Sequence, residues 1–277
     1  MKLPFWKYES IGNDFPILHI GEIGADVDLP DLAVAICDRR FGVGGDGLLT
    51  MEPISPERFR LRMFNPDGTE DFCGNGLRCA ARHAADVGWV GDAFTILHLG
   101  RTVPVHLEGN TVVTEIGVAS YKPEDVPLQG GAEELFQKPV FWSQEQEIVG
   151  SALSTGSTHT IVPVSSLPLT SELERLGPLI ENFELFPQRT SIIWRETVRA
   201  NHLKIRIWER GVGETLGCGT GSSAAATDYL RTEGRGGRVQ VDNPGGTVWV
   251  SAQSWNSPIT VVGEARQVFS GALLFHS

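Results

Sequence analysis

The sequence is poor in cysteine: Cys37, Cys73, Cys79 and Cys218 are the only four in 277 residues. That is too sparse for a disulfide scaffold of this length, and it points to a reducing compartment. Long apolar runs are also missing. No segment approaches the ~20 residues a membrane helix needs, and the stretch from Met1 to Lys7 has no signal-like apolar core. Basic residues are scarce as well, 23 against 34 acidic ones, for a formal charge of −11. A nucleic-acid binder needs a basic face to neutralise phosphates, so that class is excluded. The expectation is a soluble cytoplasmic protein with neither nucleic acid nor membrane as a partner. What remains is ordinary for a globular chain, 41% hydrophobic and 21% charged, with length enough for two domains.

Two short stretches, 145 positions apart, nearly repeat one another. Phe72-Cys73-Gly74-Asn75-Gly76 runs into Leu77-Arg78-Cys79-Ala80-Ala81, and Gly217-Cys218-Gly219-Thr220-Gly221 runs into Ser222-Ser223-Ala224-Ala225-Ala226. Each sets a cysteine before a Gly-x-Gly turn that opens into an Ala-rich helical pattern. A thiol at a helix N-terminus meets unpaired N–H groups and the positive end of the helix dipole, which favour its thiolate. The same N–H groups suit an anion, and the glycines let a carboxylate approach the backbone.

Strands are predicted over residues 59–64, 93–99, 111–118, 203–208, 246–251 and 259–262, and helices over 31–39, 76–87, 172–180 and 221–231. Ser171 and Glu174 form a capping box for the third helix, which Gly177-Pro178 is expected to cut short. The turn-rich segment 119–131 reads as a linker. Arg62-Met63-Phe64-Asn65 before the first thiol parallels Arg206-Ile207-Trp208-Glu209 before the second. The expected organisation is an N-terminal domain of residues 1–120 and a C-terminal domain that begins at residue 121. Two such copies would place one thiol on each wall of an interdomain cleft. There one thiolate could remove an amino-acid α-proton while the other thiol protonates the opposite face. Backbone N–H groups would stabilise the carboxylate-enolate, so no cofactor is needed.

The chain resembles the diaminopimelate epimerase family, whose members are pyridoxal-independent, two-domain, two-cysteine enzymes. The matching segments are Gly12-Asn13-Asp14-Phe15, residues 37–47, Phe64-Asn65-Pro66-Asp67-Gly68-Thr69-Glu70, Glu209-Arg210-Gly211-Val212-Gly213-Glu214-Thr215, Pro244-Gly245-Gly246 and Val268-Phe269-Ser270-Gly271, beside the two thiol motifs. The resemblance implies an α+β fold of two similar domains, each a curved mixed β-sheet around a central helix, with the active site between them; it also implies that the last strand, residues 266–277, returns to the first domain, which leaves 121–265 to the second. It implies Cys73 and Cys218 as the acid/base pair, with His159 and Glu209 as polar helpers. Asn13, Asn65 and Arg210 would bind substrate, and the backbone of Gly74, Asn75, Gly219 and Thr220 would hold the reacting carboxylate. The implied reaction is L,L-diaminopimelate to the meso form, in lysine and peptidoglycan supply. A homodimer is compatible with it.

Two departures fall at the specificity end. Where the family shows Gly-Asn-Pro-His this chain has Gly156-Ser157-Thr158-His159, and Ser191 follows Arg189-Thr190 where the family has asparagine. Serine loses the reach and the paired donor and acceptor of an amide. A related racemase of another amino acid, such as histidine, is therefore the alternative function. A non-catalytic amino-acid-binding protein is a second alternative. Other patterns take plainer readings. Cys37 and Cys79 are core thiols. Residues 42–47 match a dinucleotide fingerprint only formally, because a helix rather than a strand precedes them. Cys73, Cys79 and His83 lack zinc spacing and a fourth ligand. His19, His83, His98, His106, His202 and His276 are structural or exposed.

Overall fold

Short apolar segments punctuated by glycine and asparagine turns become seventeen strands and four α-helices among the described residues. The structure is a computed structural model that describes residues 2–131, 133–144 and 146–274. His276 and the end of the expected returning segment lie outside the described residues. The chain divides into two units, Met1–Glu115 with Val262–Ser277, and Ile116–Val261.

The first unit holds β1 (Lys2–Ser10), β2 (Asn13–His19), α1 (Leu29–Cys37), β3 (Leu48–Ser55), β4 (Arg58–Phe64), α2 (Gly74–Asp86), β5 (Ala93–His98), β6 (Arg101–Glu108) and the start of β7 (Thr111–Gly117). The second holds β8 (Lys138–Trp142), β9 (Glu147–Ser154), β10 (Thr158–Val164), α3 (Thr170–Glu181), β11 (Ser191–Arg199), β12 (His202–Glu209), β13 (Gly213–Thr215), α4 (Gly219–Thr232), β14 (Gly237–Asn243) and β15 (Gly246–Ala252). β16 (Ile259–Glu264) spans the return boundary. β17 (Arg266–Leu274) then lies antiparallel to β1, from Lys2 opposite Leu274 to Glu9 opposite Arg266.

The units repeat one wiring. In the first, β1 and β2 pair antiparallel, β2 and β3 parallel, β3 and β4 antiparallel, β4 and β5 parallel, and β5 and β6 antiparallel. The second runs β9–β10, β10–β11, β11–β12, β12–β14 and β14–β15 in the same alternation. Each parallel step requires a crossover, and the helices supply it. The α+β reading of two mixed-sheet domains with few helices therefore holds.

Each sheet wraps a helix. α2 packs on β1 to β4 and β17, and α4 on β9 to β12, β14 and β15. Every residue from Gly219 to Leu230 is buried. A helix enclosed on all sides needs small side chains, hence the runs Ala80-Ala81 and Ala224-Ala225-Ala226, and its buried polar groups need partners: Ser222 Oγ donates to Asn243 Oδ1 at 3.1 Å and Ser223 Oγ to the Gly219 carbonyl at 2.8 Å. In the first unit this core joins Tyr8, Phe15, Leu49, Phe59 and Leu77.

The expected capping box of α3 does not form. Leu169 is the N-cap, its carbonyl accepting from Glu172 and Leu173 at 3.0 Å, so Ser171 lies inside the helix. Arg206 sets this start from β12, donating to the Pro168 carbonyl at 2.6 Å and to Thr170 Oγ1 at 3.0 Å. Nor does Pro178 cut the helix, which continues to Glu181. Gly177 lets the Trp208 indole lie directly on the helix, where a Cβ would come within 2.4 Å of it. Trp208 Nε1 also donates to Glu181 Oε2 at 2.8 Å, so packing outweighs the proline.

Candidate active site

Both thiols are N-cap residues. Cys73 caps α2 and Cys218 caps α4, with φ, ψ of −130°, 113° and −136°, 120°. In each, the N–H three residues on, from Gly76 or Gly221, donates to Sγ at 3.3 Å. The sulfur thus replaces the oxygen of an ordinary Ser or Asp cap, and negative charge on it meets the helix dipole. A Cβ at Gly76 or Gly221 would sit 3.6 or 3.5 Å from that sulfur. The strand before each thiol ends in the same clamp. Arg62 donates to Glu70 at 2.9 and 2.8 Å, and Arg206 to Glu214 at 2.8 and 2.5 Å, each pair eight residues apart. Arg62 grips both oxygens of Glu70, whereas Nε and Nη2 of Arg206 converge on Oε1 of Glu214, and either ion pair ties down the loop leading to the thiol.

In the first unit, Asn13 opens β2 and lies against Cys73, with Oδ1 3.9 Å from Sγ and accepting from Asn75 Nδ2 at 3.2 Å. Asn13 Nδ2 donates to Asp46 Oδ2 at 2.6 Å. Asn65 is in the turn after β4, where its N–H donates to the Thr69 carbonyl at 2.7 Å and Nδ2 to Thr69 Oγ1 at 3.0 Å. Asp14 binds Lys7 at 2.8 Å and Arg39 at 2.7 Å. Burial alone would raise the Asp14 carboxyl, but these two cations overrule it and hold it at about 2.

In the second unit, Cys218 Sγ lies 3.2 Å from Thr220 Oγ1, which lies 3.4 Å from His159 Nε2. His159 is buried on β10, and its Nδ1 is 2.8 Å from the Ser157 carbonyl. That carbonyl can only accept, so Nδ1 carries the proton and Nε2 faces Thr220 as an acceptor. Burial pulls the imidazole down to about 4, the Ser157 carbonyl opposing and the Arg210 charge adding to the fall. Ser191 stands beside His159 on the parallel strand β11, and its Oγ accepts the Arg210 N–H at 3.1 Å. Arg210 Nη1 donates to the Gln188 carbonyl at 3.2 Å. Glu209 ends β12, and its carboxylate accepts from the Thr215 hydroxyl.

The structure therefore joins Cys73, Asn13, Gly74 and Asn75 in one unit, and Cys218, Gly219, Thr220, His159 and Ser157 in the other, with Ser191, Arg210 and Glu209 at the adjoining strand ends. Residues with a part in these networks that sequence reasoning passed over are Asp46, Arg78, Thr215 and Glu181. Glu181 is buried and accepts from Gly211 N–H at 2.9 Å and Arg189 Nη1 at 3.0 Å, tying down the turn after Glu209. Asp46, Arg78 and Thr215 lie inside the motifs that mark the family; Glu181 carries no signal in the sequence. Elsewhere, Cys37 and Cys79 are buried, and burial raises both thiols, Cys37 to about 12. The glycines of residues 42–47 serve close packing: a Cβ at Gly42 would meet the Ala35 carbonyl at 2.3 Å. No described helix is long and apolar enough to cross a membrane.

A duplicated mixed sheet around a buried helix defines a class with solved members. The hydroxyproline epimerase of Agrobacterium vitis matches with TM-score 0.73 at 13% identity, over 98% of this chain and 92% of that one. A Bacillus anthracis phenazine biosynthesis protein of the PhzF family matches with TM-score 0.67 at 18% identity, over 99% and 100%. Sequence narrows the class. The diaminopimelate epimerase profile matches residues 5–122 and 151–268. Proteins named diaminopimelate epimerase are similar end to end: one from Microcystis aeruginosa is 34% identical over 98% of this chain and 99% of its own. One from Cyanothece sp. is 35% identical over 99% and 100%. The chain belongs to the diaminopimelate epimerase family.

Proposed function

We propose that the chain is an isomerase that epimerises L,L-diaminopimelate to the meso form by a two-base mechanism requiring no cofactor, as a cytoplasmic step toward lysine and peptidoglycan. The observation that carries the reading is the pair of cysteine N-caps, each with an N–H 3.3 Å from its sulfur, in a chain similar over its whole length to proteins of that name. In this reading Cys73 and Cys218 act on opposite faces of one α-carbon. One thiolate takes the α-proton, the substrate carboxylate spreads the charge, and the other thiol returns a proton from the far side. The first N–H groups of α2 and α4, from Gly74, Asn75, Gly219 and Thr220, hold the carboxylate as it gains enolate character. Arg210, whose planar fork suits a carboxylate, binds the far end. Glu209 and neutral His159 orient the proton transfers, and Asn13 and Asn65 contact the substrate.

Ser157 and Ser191 favour a second reading, a racemase of another amino acid on the same machinery. Ser191 already spends its hydroxyl on the Arg210 backbone, and neither serine spans what an amide would. The test is chiral product analysis with L,L-diaminopimelate for the wild type, Cys73→Ala and Cys218→Ala. Turnover in the wild type and a loss of about 10³-fold or more in each variant is expected, the scale of a missing acid or base. Either variant retaining full activity would remove that thiol from the mechanism.

A further inference from the structure

Behind Cys73 runs a hydrogen-bond chain whose direction is set by a charge at each end. Arg78 is buried on α2, and its guanidinium, which can only donate, binds Asn75 Oδ1. Asn75 Nδ2 must then point away, and it donates to Asn13 Oδ1 at 3.2 Å. Asn13 Nδ2 donates in turn to Asp46 Oδ2 at 2.6 Å, and a carboxylate can only accept. Neither amide can turn over without setting donor against donor or acceptor against acceptor. Both ends are themselves anchored. Arg78 Nε donates to Ser10 Oγ at 3.0 Å, and Asp46 accepts from the Asp14 N–H at 3.0 Å and from Arg39 at 2.7 Å.

We propose that Arg78 and Asp46 are positioning residues of the site, acting through Asn75 and Asn13 to present a carbonyl oxygen, and not an amide N–H, to the Cys73 thiol. That oxygen lies 3.9 Å from Sγ, while the Gly76 N–H donates to the same sulfur at 3.3 Å. The sulfur therefore has an acceptor for its proton and a donor for its charge. A group that must alternate between thiol and thiolate needs both partners held in place. The inference rests on the reading of Cys73 as an acid/base group, but its test needs no turnover.

The experiment is a double-mutant cycle on the full chain with Asp46→Ala, Asn13→Ala and the two combined. The readout is the pH dependence of Cys73 alkylation by iodoacetamide, measured by peptide mass spectrometry. Without its acceptor the Asn13 amide is held at Oδ1 by Asn75 alone, and a thiolate can draw Nδ2–H onto the sulfur at the cost of that one neutral bond, so Asp46→Ala lowers the alkylation midpoint by about half a pH unit or more. In the Asn13→Ala background the same substitution gives less than half of that shift, the remainder being the field of the lost carboxylate. An equal shift in both backgrounds would mean that Asp46 acts only through its field, as would the neighbouring charges of Asp14, Lys7 and Arg39, and would overturn the proposal. No shift in either background would overturn it too. Asp46→Leu, which keeps the side-chain shape but has no acceptor, replaces the alanine variant if that one does not fold. An inactive wild type showing the expected shifts would overturn the proposed function alone.

Discussion

Acidification should destabilise the first unit through His83, which lies on the inner face of α2 with no solvent exposure. Its ring sits among Trp6 at 4.9 Å, Tyr8 at 5.2 Å and Trp89 at 6.4 Å, and its Nε2 is 2.8 Å from His19 Nε2. One nitrogen of that pair must donate and the other accept, so the fold opposes a second proton. Burial first, then the His19 charge, bring His83 down from 6.5 to about 4, with Asp86 opposing. Since the folded value lies below the unfolded one, the unfolded chain binds more protons between those two pH values. The stabilisation is complete above about pH 6.5 and is lost as pH falls toward 4. Between pH 7 and pH 5 the loss from this one ring is about 2 kcal/mol. Urea unfolding at pH 7, 6 and 5, followed by hydrogen exchange of the α2 amides with mass spectrometry, measures it. His83→Phe, made in a His19→Phe background and compared with that single variant, should flatten the pH dependence by most of that amount, because His98, Asp14 and the remaining titrating groups are common to both proteins. Parallel curves for the two proteins, within about 0.5 kcal/mol, would refute the reasoning.

Two other substitutions probe the support of the second unit. Glu181→Ala strands the N–H groups of Gly211 and Trp208 and the Arg189 guanidinium. It is expected to cost about 2–3 kcal/mol in denaturant unfolding, and to raise KM more than it lowers kcat by loosening the turn that carries Arg210. Gly177→Ala drives a methyl to 2.4 Å from the Trp208 ring, which should cost about 1–3 kcal/mol by the same assay. Restoring the room with Trp208→Leu should recover part of that loss.

The duplication was legible because it is written in residue types that few other roles require: a cysteine, two glycines and a run of alanines, twice. That pattern placed both thiols at helix starts, where the structure has them, two residues earlier than the helices had been drawn. The strand pattern marks β4, β5, β7, β12, β15 and β16 and leaves out β1, β2, β3, β6, β8, β9, β10, β11, β13 and β14. In β1, β2 and β10 a proline (Pro4, Pro16, Pro163) interrupts the alternation, yet neighbouring strands flank them on both sides. The start of α3 was misplaced because Arg206, 36 residues away from Thr170 in sequence, decides it. Local capping rules cannot see such a contact. The same holds for the candidate site. Cys73, Asn13 and Asn65 were marked by motif, whereas Arg78 and Glu181 matter through partners that only the folded chain assembles. Asn65 shows the converse: its motif pointed to substrate, and the structure also gives its amide a turn to hold.

The most direct test of the two-base claim is proton NMR of L,L-diaminopimelate incubated with the reduced protein in deuterated water. The account predicts that the meso product forms with solvent deuterium at the inverted carbon, while substrate recovered early still carries its α-proton, because separate groups remove and deliver it. Deuterium entering the recovered L,L-substrate as fast as product forms would indicate a single exchanging base and contradict the account. No reaction here, together with exchange on another amino acid, would move the assignment to the reading that Ser157 and Ser191 favour.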